Sequence, residues 1–257
     1  MNTKLFLQER REQVIALLER EGRVSVADLS QRFGLSQATI RADLDALAAQ
    51  DQLIRTHGGA IALDRTDLEL SFDVRRRLHS VQKQRIGAAA AAMVEDGDAI
   101  ALDASTTALA LASQIKGRHE LTVITNGIFV SMAFLGTPGI TVLMPGGFLR
   151  RDSVSLVGAE GHDFIKKYNV QKGFFAAKGL TLKEGLTDVN SAEVAVKRDL
   201  VAHARQVIAI VDSSKWGRVG FVSFASMDQV DCVITDEGAP PEMVAALQAM
   251  DVDVIIA

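Results

Sequence analysis

The first sixty residues carry apolar side chains at helical spacing. Leu7, Val14 and Leu18 predict an amphipathic helix over about residues 4–21. Ser25 then opens a capping-box-like sequence, which predicts a second helix that stops near Gly34. These two stretches predict a helical N-terminal region.

A third helix is predicted to start after Ser36, which caps it. Its apolar stripe, Ile40, Leu44 and Leu47, faces inward. The stripe leaves a polar, cationic face outward, formed by Gln37, Ala38, Arg41 and Asp45. Two short helices joined by a tight glycine-containing turn, the second with such a face at its start, indicate a helix-turn-helix.

The stretch 52–60 predicts an extended arm that turns at Gly58 and Gly59 and projects Arg55 and His57, as the wing of a winged helix does. The alternative is a small helical cap with an ordinary solvated face, on which Arg41 pairs with Asp45 one helical turn away. Periodicity alone does not separate these two interpretations.

The residues themselves resemble a known family. The N-terminal residues resemble the helix-turn-helix signature and the wing of DeoR-family bacterial transcription regulators. The matching positions are Arg10, Val14, Leu18, Ser36, Thr39, Ile40, Arg41, Ala42, Asp43 and Leu44, and the wing is Ile54–Ala60. The resemblance implies a DNA-binding domain in which Gln37 and Arg41 read base edges, Ser36 and Thr39 position phosphates, and Arg55 and His57 reach the backbone or minor groove. The expected DNA-binding set is Ser25, Ser36, Gln37, Ala38, Thr39, Arg41, Arg55 and His57.

From residue 87 onward the pattern changes to α/β. Short runs rich in Val and Ile recur at 99–102, 121–125, 140–144, 173–177, 207–211, 232–235 and 252–256, several of them separated by helical patterns. Buried strands with helical crossovers predict a mostly parallel sheet. We therefore expect a winged helix-turn-helix domain at 1–61, a polar linker at 62–86 that includes Arg75–Arg77, and an α/β effector-binding domain at 87–257.

Charge and composition limit the kinds of partner and metal site that the protein can have. The net charge is −4, but residues 1–86 carry +2 and residues 87–257 carry −6, so a nucleic-acid contact is permitted at the N-terminal end. The lone Cys232 excludes a disulfide framework and a thiolate zinc site. With no apolar run long enough for a membrane span, we expect a cytoplasmic protein without metal or cofactor.

Polar residues follow several of the apolar runs, where ligands bind in open parallel sheets. They are Asp103, Ser105, Thr106 and Thr107; Thr125, Asn126 and Gly127; Gly147 and Arg150; and Asp212 and Lys215. Singly, each is more often a helix cap or a turn. Together, hydroxyls at a helix N-terminus, carboxylates, an amide and a lysine favour a phosphorylated sugar or polyol.

This region also resembles the effector domain of the DeoR family, which is similar in fold to ribose-5-phosphate isomerase. The resemblance adds Lys178, Gly179 and Glu193 to the expected effector site. The chain departs from the family pattern at Gln171, where an Asp is usual, and at Lys178, where a small residue is usual. A lost carboxylate and a gained cation at a pocket edge would favour a more anionic ligand, or a ligand with one hydroxyl contact fewer. Alternatively, Lys178 is an exposed lysine at the end of a strand.

Two functions fit the sequence. The first is a DNA-binding regulator, a repressor of carbohydrate metabolism genes, controlled by a phosphorylated sugar or polyol and assembled as a dimer or tetramer. The second is a sugar-phosphate isomerase with an N-terminal extension, in which Glu193 is the base. We favour the regulator, mainly because of the helix-turn-helix signature, and we expect no catalytic residues, because Glu193 has no evident partner in the sequence. Trp216 is either a lid over the ligand or a surface-packed aromatic residue.

Overall fold

The computed structural model describes residues 7–49, 52–62 and 72–257. The chain divides into two units, Met1–Leu70 and Ser71–Ala257. Residues 4–6 of the predicted first helix and residues 63–71 of the predicted linker lie outside the described residues.

The N-terminal unit has the element order of a winged helix. Its elements are α1 (Leu7–Glu21), β1 (Arg23–Ser25), α2 (Val26–Phe33), α3 (Gln37–Ala49), β2 (Ile54–Thr56) and β3 (Gly59–Ile61). The strands form an antiparallel sheet in the order β1-β3-β2. Local sequence sets the helix ends: the Ser25 side chain caps α2, and Gly34 ends it in the left-handed region with φ 64°.

The core of this unit lies where the three helices meet. Val14 and Leu18 of α1, Leu29 of α2 and Leu44 of α3 are buried together. These are the positions that the helical spacing assigned inward, so the predicted helix-turn-helix and wing are confirmed as structure.

The second unit is α/β. Its helices are α4 (Phe72–Arg77), α5 (Ser80–Ala91), α6 (Thr106–Gln114), α7 (Ile128–Met132), α8 (Ala159–Ile165), α9 (Ser191–Ala202) and α10 (Pro241–Gln248). Its strands are β4 (Ala99–Leu102), β5 (Leu121–Thr125), β6 (Ile140–Leu143), β7 (Phe148–Arg150), β8 (Ser155–Val157), β9 (Val170–Phe175), β10 (Gly179–Thr181), β11 (Gly185–Asp188), β12 (Ala204–Ile210), β13 (Val222–Ala225), β14 (Cys232–Thr235) and β15 (Asp253–Ile256).

Seven of the strands described here form one parallel sheet in the order β15-β14-β12-β9-β4-β5-β6. Apolar side chains from both faces are buried under helices, with Phe174 on one face and Phe175 on the other. A small sheet, β10-β11-β13, and the hairpin β7-β8 complete the unit. The predicted mostly parallel α/β sheet is confirmed.

The predicted linker differs from the structure over its second half. Two helices, α4 and most of α5, occupy the stretch after the undescribed residues, and both belong to the second unit. Phe72 is buried against Phe129, with ring centroids 4.7 Å apart, and Ile86 is fully buried. Because only a few apolar residues stand among many polar ones here, the sequence pattern was too sparse to show this packing.

Candidate functional site

The start of α3 presents the expected reading surface. The Ser36 hydroxyl accepts a hydrogen bond from the Thr39 amide at 3.2 Å and lies 2.9 Å from the Thr39 hydroxyl. Gln37, Ala38 and Arg41 are exposed on the same helix end. Arg41 Nη2 donates to Gln37 Oε1 at 3.2 Å, so the two predicted base-reading side chains already lie side by side.

Arg41 does not pair with Asp45. Instead Asp45 Oδ1 accepts from Arg55 Nε at 2.6 Å, and Arg55 Nη1 donates to the Thr56 carbonyl at 3.3 Å and to the Gly59 carbonyl. The predicted DNA contact Arg55 is therefore folded back between α3 and the wing. His57 remains exposed near the tip of the wing, and Ser25 is half-buried as the cap of α2.

A buried ion cluster fixes α3 against α1. Asp43 is 3% exposed, and its two oxygens accept from Arg10 Nε at 2.6 Å and from Arg11 Nε at 3.3 Å. Removing one partner of such a cluster leaves a buried charge unpaired, which is strongly destabilising. These residues therefore set the angle at which α3 is presented.

In the second unit, the predicted residues that follow β4 and β5 meet at the carboxyl edge of the sheet. Ser105 caps α6 by accepting from the Ala108 amide at 2.9 Å, and Thr106 and Thr107 are buried in the first turn of that helix. A Cβ at Gly127 would lie 2.9 Å from the Cα of Ala104, so glycine permits the loop after β5 to approach the loop after β4. The helix start offers hydroxyls and N–H groups to an anion.

Further side chains hold these loops in place. Thr125 Oγ1 accepts from the Gly127 amide at 3.0 Å. Asp103 is fully buried and joins two strand ends, because its oxygens accept from the Ser105 amide at 3.1 Å and from the Ala176 amide at 2.9 Å. Thr125 and Asp103 therefore position the candidate site.

Glu193, the base expected under the isomerase hypothesis, has partners after all. Its Oε1 accepts from the Ser153 hydroxyl at 2.6 Å and from the Ser155 hydroxyl, and its Oε2 accepts from Asn126 Nδ2 at 3.4 Å. Arg150 Nη1 lies 3.8 Å from Oε1. The expectation that Glu193 stands alone was wrong, since its partners come from elements distant in sequence.

Lys197, which the effector set did not include, anchors the centre of the site. Its Nζ lies 3.0 Å from Asp103 Oδ2 and 2.8 Å from Asp188 Oδ2, and it donates to the Ala176 carbonyl at 2.6 Å. Burial alone would lower the pKa of Lys197, but the two carboxylates raise it above its ordinary value. Lys197 is therefore a fixed cation within the scaffold.

A second group of cations surrounds Asp212, at the end of β12. Burial would raise the pKa of this carboxyl, but Lys215, the Ser214 hydroxyl and Lys83 hold it below its usual value. Burial, with smaller contributions from Lys215, Arg75 and Lys178, lowers the pKa of Lys83 to about 8, and Asp212 opposes them. We call Arg75, Lys83, Lys178 and Lys215 the cation cluster; Lys83 and Arg75 were missed because they fall in the predicted linker.

Three other expectations need correction or placement. Gln171 lies at the amino end of β9, where it accepts from the Ala99 amide at 2.8 Å, so it is not at the pocket edge. Lys178 is half-buried after β9 and belongs to the cation cluster. Trp216 is neither a lid nor a surface residue, because it is buried and its Nε1 donates to Thr235 Oγ1 at 3.0 Å.

Two glycines of the expected set allow close backbone approach. At Gly147, φ is 131° and a Cβ would lie 2.3 Å from the Val157 carbonyl oxygen, so this position requires glycine in the connection to the hairpin β7-β8. At Gly179 a Cβ would lie 2.0 Å from the Arg218 carbonyl oxygen. Their role in the structure is conformational.

Within the described ranges, no group of His, Cys, Asp and Glu could hold a metal ion, and no helix is long and apolar enough to cross a membrane. The two units define the class of protein: a winged helix whose third helix, α3, exposes a polar start, and an α/β domain with cations at the carboxyl edge of its sheet.

Family models place this class more narrowly. The DeoR-like helix-turn-helix domain matches residues 10–66, and the DeoR C terminal sensor domain matches residues 78–237. The chain belongs to the DeoR family of transcriptional regulators.

Curated relatives match along nearly the whole chain. The uncharacterized HTH-type transcriptional regulator YulB of Bacillus subtilis is 34% identical over 97% of this chain and 96% of its own. The HTH-type transcriptional regulator GolR of Listeria innocua is 35% identical, covering 90% of this chain and 91% of its own. The glycerol-3-phosphate regulon repressor of Escherichia coli is 31% identical over 91% of each chain.

Among solved structures, ribose 5-phosphate isomerase A of Methanocaldococcus jannaschii is 16% identical and covers 52% of this chain and 53% of its own, with a TM-score of 0.39. A likeness of this size carries no argument about activity.

Proposed function

We propose that this protein is a sequence-specific DNA-binding repressor of carbohydrate metabolism genes, acting in the cytoplasm and controlled by a phosphorylated sugar or polyol. The observation that carries the proposal is the presence, in one chain, of an exposed polar start of α3 and of a buried hydroxyl-bearing helix start in α6. The name of the Escherichia coli relative, a glycerol-3-phosphate regulon repressor, supports a phosphorylated polyol as the class of ligand.

On the DNA side, Gln37 and Arg41 are proposed to read base edges in the major groove, since amide and guanidinium groups pair with adenine and guanine edges there. Ser36 and Thr39 are proposed to position a phosphate at the start of α3. One winged helix provides few phosphate contacts, so a homo-oligomer that presents two reading helices is part of the proposal.

The DNA side is tested with Arg41→Ala. Duplexes that the wild-type protein selects from a random-sequence library serve as the operator, and unselected duplexes serve as the reference. Arg41→Ala is expected to remove the preference for selected duplexes, because a bidentate base contact contributes about 1–3 kcal/mol of discrimination. The control Arg205→Ala removes the same charge at an exposed position of the second unit. If Arg41→Ala keeps the full preference, α3 is not the reading helix as proposed.

The ligand side is tested with Thr107→Val, which removes a hydroxyl from the start of α6. A panel of phosphorylated sugars and polyols is screened by thermal shift, because a ligand at 100 times its Kd adds about 2.7 kcal/mol of stability. Thr107→Val is expected to weaken binding, whereas the control Thr122→Val, at the other end of the sheet in β5, is expected to bind as the wild type. Normal binding by Thr107→Val would show that the anion site lies elsewhere.

Control by the ligand is tested by operator affinity with and without the ligand found in the panel. The proposal expects a change, in either direction, because a ligand that regulates must bind two states of the protein with different affinity. Incubating that ligand with the protein and following isomerisation separates the regulator from the isomerase alternative. The helix-turn-helix match over residues 10–66 supports the regulator, whereas the contacts of Glu193 with Ser153, Ser155 and Asn126 do not separate the two alternatives.

A further inference from the structure

Two exposed arginines stand at the C-terminal end of α4. They are Arg76 and Arg77, and within the described residues neither forms a hydrogen bond or an ion pair. Their neighbour Arg75 is engaged, since its guanidinium lies 5.5 Å from the ring centroid of Phe72 and its Nη2 donates to the Asp152 carbonyl at 3.5 Å. We call Arg76 and Arg77 the arginine pair. Two adjacent guanidinium groups without a local partner favour a partner that carries closely spaced anions.

The arginine pair lies in a basic stretch of an otherwise acidic unit. Residues 72–85 carry five Lys and Arg side chains and one Asp, whereas residues 87–257 carry a net charge of −6. Elsewhere in this stretch Lys83 is 7% exposed, and Arg85 Nη1 lies 3.2 Å from a carboxylate oxygen of Glu237. The arginine pair is therefore the part of the stretch that is open to a partner. A local concentration of exposed positive charge attracts polyanions, even when the rest of the unit is acidic.

The backbone that carries the arginine pair is held at both ends. Phe72, at the start of α4, is 3% exposed, and its ring centroid lies 4.7 Å from that of Phe129. Lys83 Nζ donates to the Arg75 carbonyl at 2.6 Å and to the Leu78 carbonyl at 2.7 Å, so it bonds the residue on each side of the pair. Lys83 thus already supplies the cation that the C-terminal carbonyls of a helix favour. The pair is not required for that purpose, and a partner that binds it has to order side chains only.

The winged helix has few cations left for phosphates. Residues 7–49 and 52–62 contain seven arginines and no lysine. Four of these arginines pair with carboxylates of the same unit: Arg10 and Arg11 with Asp43, Arg20 with Glu21, and Arg55 with Asp45. Specific binding to DNA depends on many phosphate contacts. Contacts from outside the winged helix would therefore add affinity to the proposed complex.

Chain length limits the distance between the arginine pair and a duplex that the winged helix binds. The first residue of α4, Phe72, follows eleven residues after Ile61, the last residue of β3. Eleven residues span at most about 40 Å when fully extended. This limit holds for every conformation of residues 62–71, and it equals the length of roughly twelve base pairs of B-DNA. Phosphates beside the bound sequence are therefore a polyanion that the pair can reach.

We propose that the arginine pair binds phosphate groups of the duplex beside the sequence that α3 reads. This inference rests on the proposed function, because it adds a second contact to the proposed DNA complex. Phosphates carry no sequence information, so the pair adds affinity to every duplex while the choice of sequence stays with Gln37 and Arg41. Each contact displaces counterions from the DNA, which makes the added affinity depend on salt.

The first experiment uses the double variant Arg76→Gln/Arg77→Gln in the full chain. Its affinity for the selected and the unselected duplexes is measured by fluorescence anisotropy from about 50 to 200 mM salt. The slope of log Kd against log salt is expected to fall by about 0.9 for each lost contact, or about 1.8 for both. Extrapolated from 1 M salt, where the contribution of the contacts vanishes, this slope corresponds to a loss of up to roughly 60-fold at about 0.1 M salt. Selected and unselected duplexes are expected to lose affinity by the same factor.

Two matched variants separate a phosphate contact from other effects. Lys166→Gln/Lys167→Gln removes two adjacent exposed cations at the end of α8 in the same unit, and it is expected to keep the wild-type slope. Arg76→Lys/Arg77→Lys keeps both charges and is expected to keep the slope as well, because a phosphate accepts either cation. Thermal unfolding of each variant checks the fold. An arginine pair that only stabilises α4 would lower the unfolding temperature of the glutamine variant and leave its salt slope unchanged.

A second measurement varies the DNA. The selected sequence is placed between flanks of increasing length, and Kd is measured at about 0.1 M salt. The wild type is expected to gain affinity as the flanks grow and to level off by roughly sixteen base pairs, since α4 and an arginine side chain add about 15 Å to the limit set by chain length. The ratio of the Kd of Arg76→Gln/Arg77→Gln to that of the wild type is expected to rise from about one on the shortest duplex to its full value over the same range.

The outcomes distinguish this inference from the proposed function. A salt slope that falls in Arg76→Gln/Arg77→Gln and is kept in both matched variants, together with a Kd ratio that grows with flank length, would support the phosphate contact. If the glutamine variant keeps the wild-type slope, if Lys166→Gln/Lys167→Gln lowers it as much, or if the Kd ratio does not change with flank length, the arginine pair does not bind DNA, although α3 remains the proposed reading helix. If the wild type binds none of the duplexes at low salt, the proposed function fails together with the phosphate contact.

Discussion

The buried cation Lys197 gives the sharpest test of how the sensor site is held together. Its three donors go to Asp103, Asp188 and the Ala176 carbonyl, at distances of 2.6 to 3.0 Å. The ammonium also lies 4.8 Å from the ring centroid of Phe224. Lys197→Met keeps the aliphatic stem against this ring but leaves two carboxylates without their counter-ion.

The size of the effect follows from burial. Removing one partner of a buried ion pair costs about 3–5 kcal/mol, because the remaining charge is left without compensation. Asp103 is fully buried and has no access to water that would replace Lys197. Exposed pairs contribute only about 0–1 kcal/mol, so the control Lys183→Met, which removes a lysine that pairs with Glu184 at the surface, is expected to change stability by less than about 1 kcal/mol.

The pH dependence of stability gives a second, independent test of the role of Lys197. In the wild type, burial would raise the pKa of Asp188, but Lys197 holds it below its ordinary value, so this contribution to stability is present at neutral pH and is lost as pH falls through that lowered pKa. In Lys197→Met, Asp188 stays buried without its nearest cation, which raises its pKa. Stability of the variant should therefore rise as pH falls from 7 towards 5.

The assay is urea unfolding followed by Trp216 fluorescence, since the one tryptophan is buried in the second unit. The free energy of unfolding is measured at pH 7.0 and 5.5 for the wild type, Lys197→Met and Lys183→Met. A loss below about 1 kcal/mol for Lys197→Met at pH 7.0, or no gain in its stability on acidification, would refute the reasoning that Lys197 is a buried structural counter-ion.

Three further predictions follow from single contacts. Asp45→Asn and Arg55→Ala should each weaken binding to the selected duplexes, because each breaks the contact between α3 and the wing. The slope of log Kd against log salt should not change, and the double variant should bind no more weakly than either single variant. A slope reduced by about 0.9 in Arg55→Ala would instead show that Arg55 contacts a phosphate. Gly147→Ala should lower the stability of the second unit by more than about 2 kcal/mol in urea unfolding, because of its φ of 131° and the Val157 carbonyl; a smaller change would contradict the strained turn. Trp216→Phe should lower the free energy of unfolding by about 1–3 kcal/mol, because the buried Thr235 hydroxyl loses the indole N–H that donates to it. Titrating the wild type with ligand should leave Trp216 emission nearly unchanged. A large quench would instead support the interpretation of Trp216 as a lid over the ligand.

Local signals explain what the sequence predicted well. Helix caps such as Ser25, Ser36 and Ser105 act over three or four residues, so their sequence context is enough to place the helix starts. The buried strands were recognisable as short Val- and Ile-rich runs for the same reason. Sheet order was not predictable in this way, because β9 pairs with β4 and β12, which are distant from it along the chain.

The site residues that the sequence missed depend on long-range contacts. Ser153 and Glu193 are 40 residues apart, and Asp103 lies much farther from Lys197, so no spacing rule connects them. Gln171 precedes the apolar run 173–177, and the structure places it at the amino end of β9, away from the carboxyl edge where the other predicted residues meet. Lys83 was hidden in the predicted linker, although its own helix packs against the sheet.

The geometry of the carboxyl edge separates groups that build the site from groups that face a ligand. Asp103 and Glu193 were both expected to bind the effector, yet their oxygens are already bonded to the scaffold. A buried acceptor whose bonds are satisfied gains little from a sugar hydroxyl, because binding must first break what it has. Among the expected residues, those at the start of α6 are therefore the ones that we propose for ligand contact. On this argument, Glu193→Gln should reduce stability more than it reduces ligand affinity per folded molecule, and calorimetry at a temperature where the variant is folded would check it.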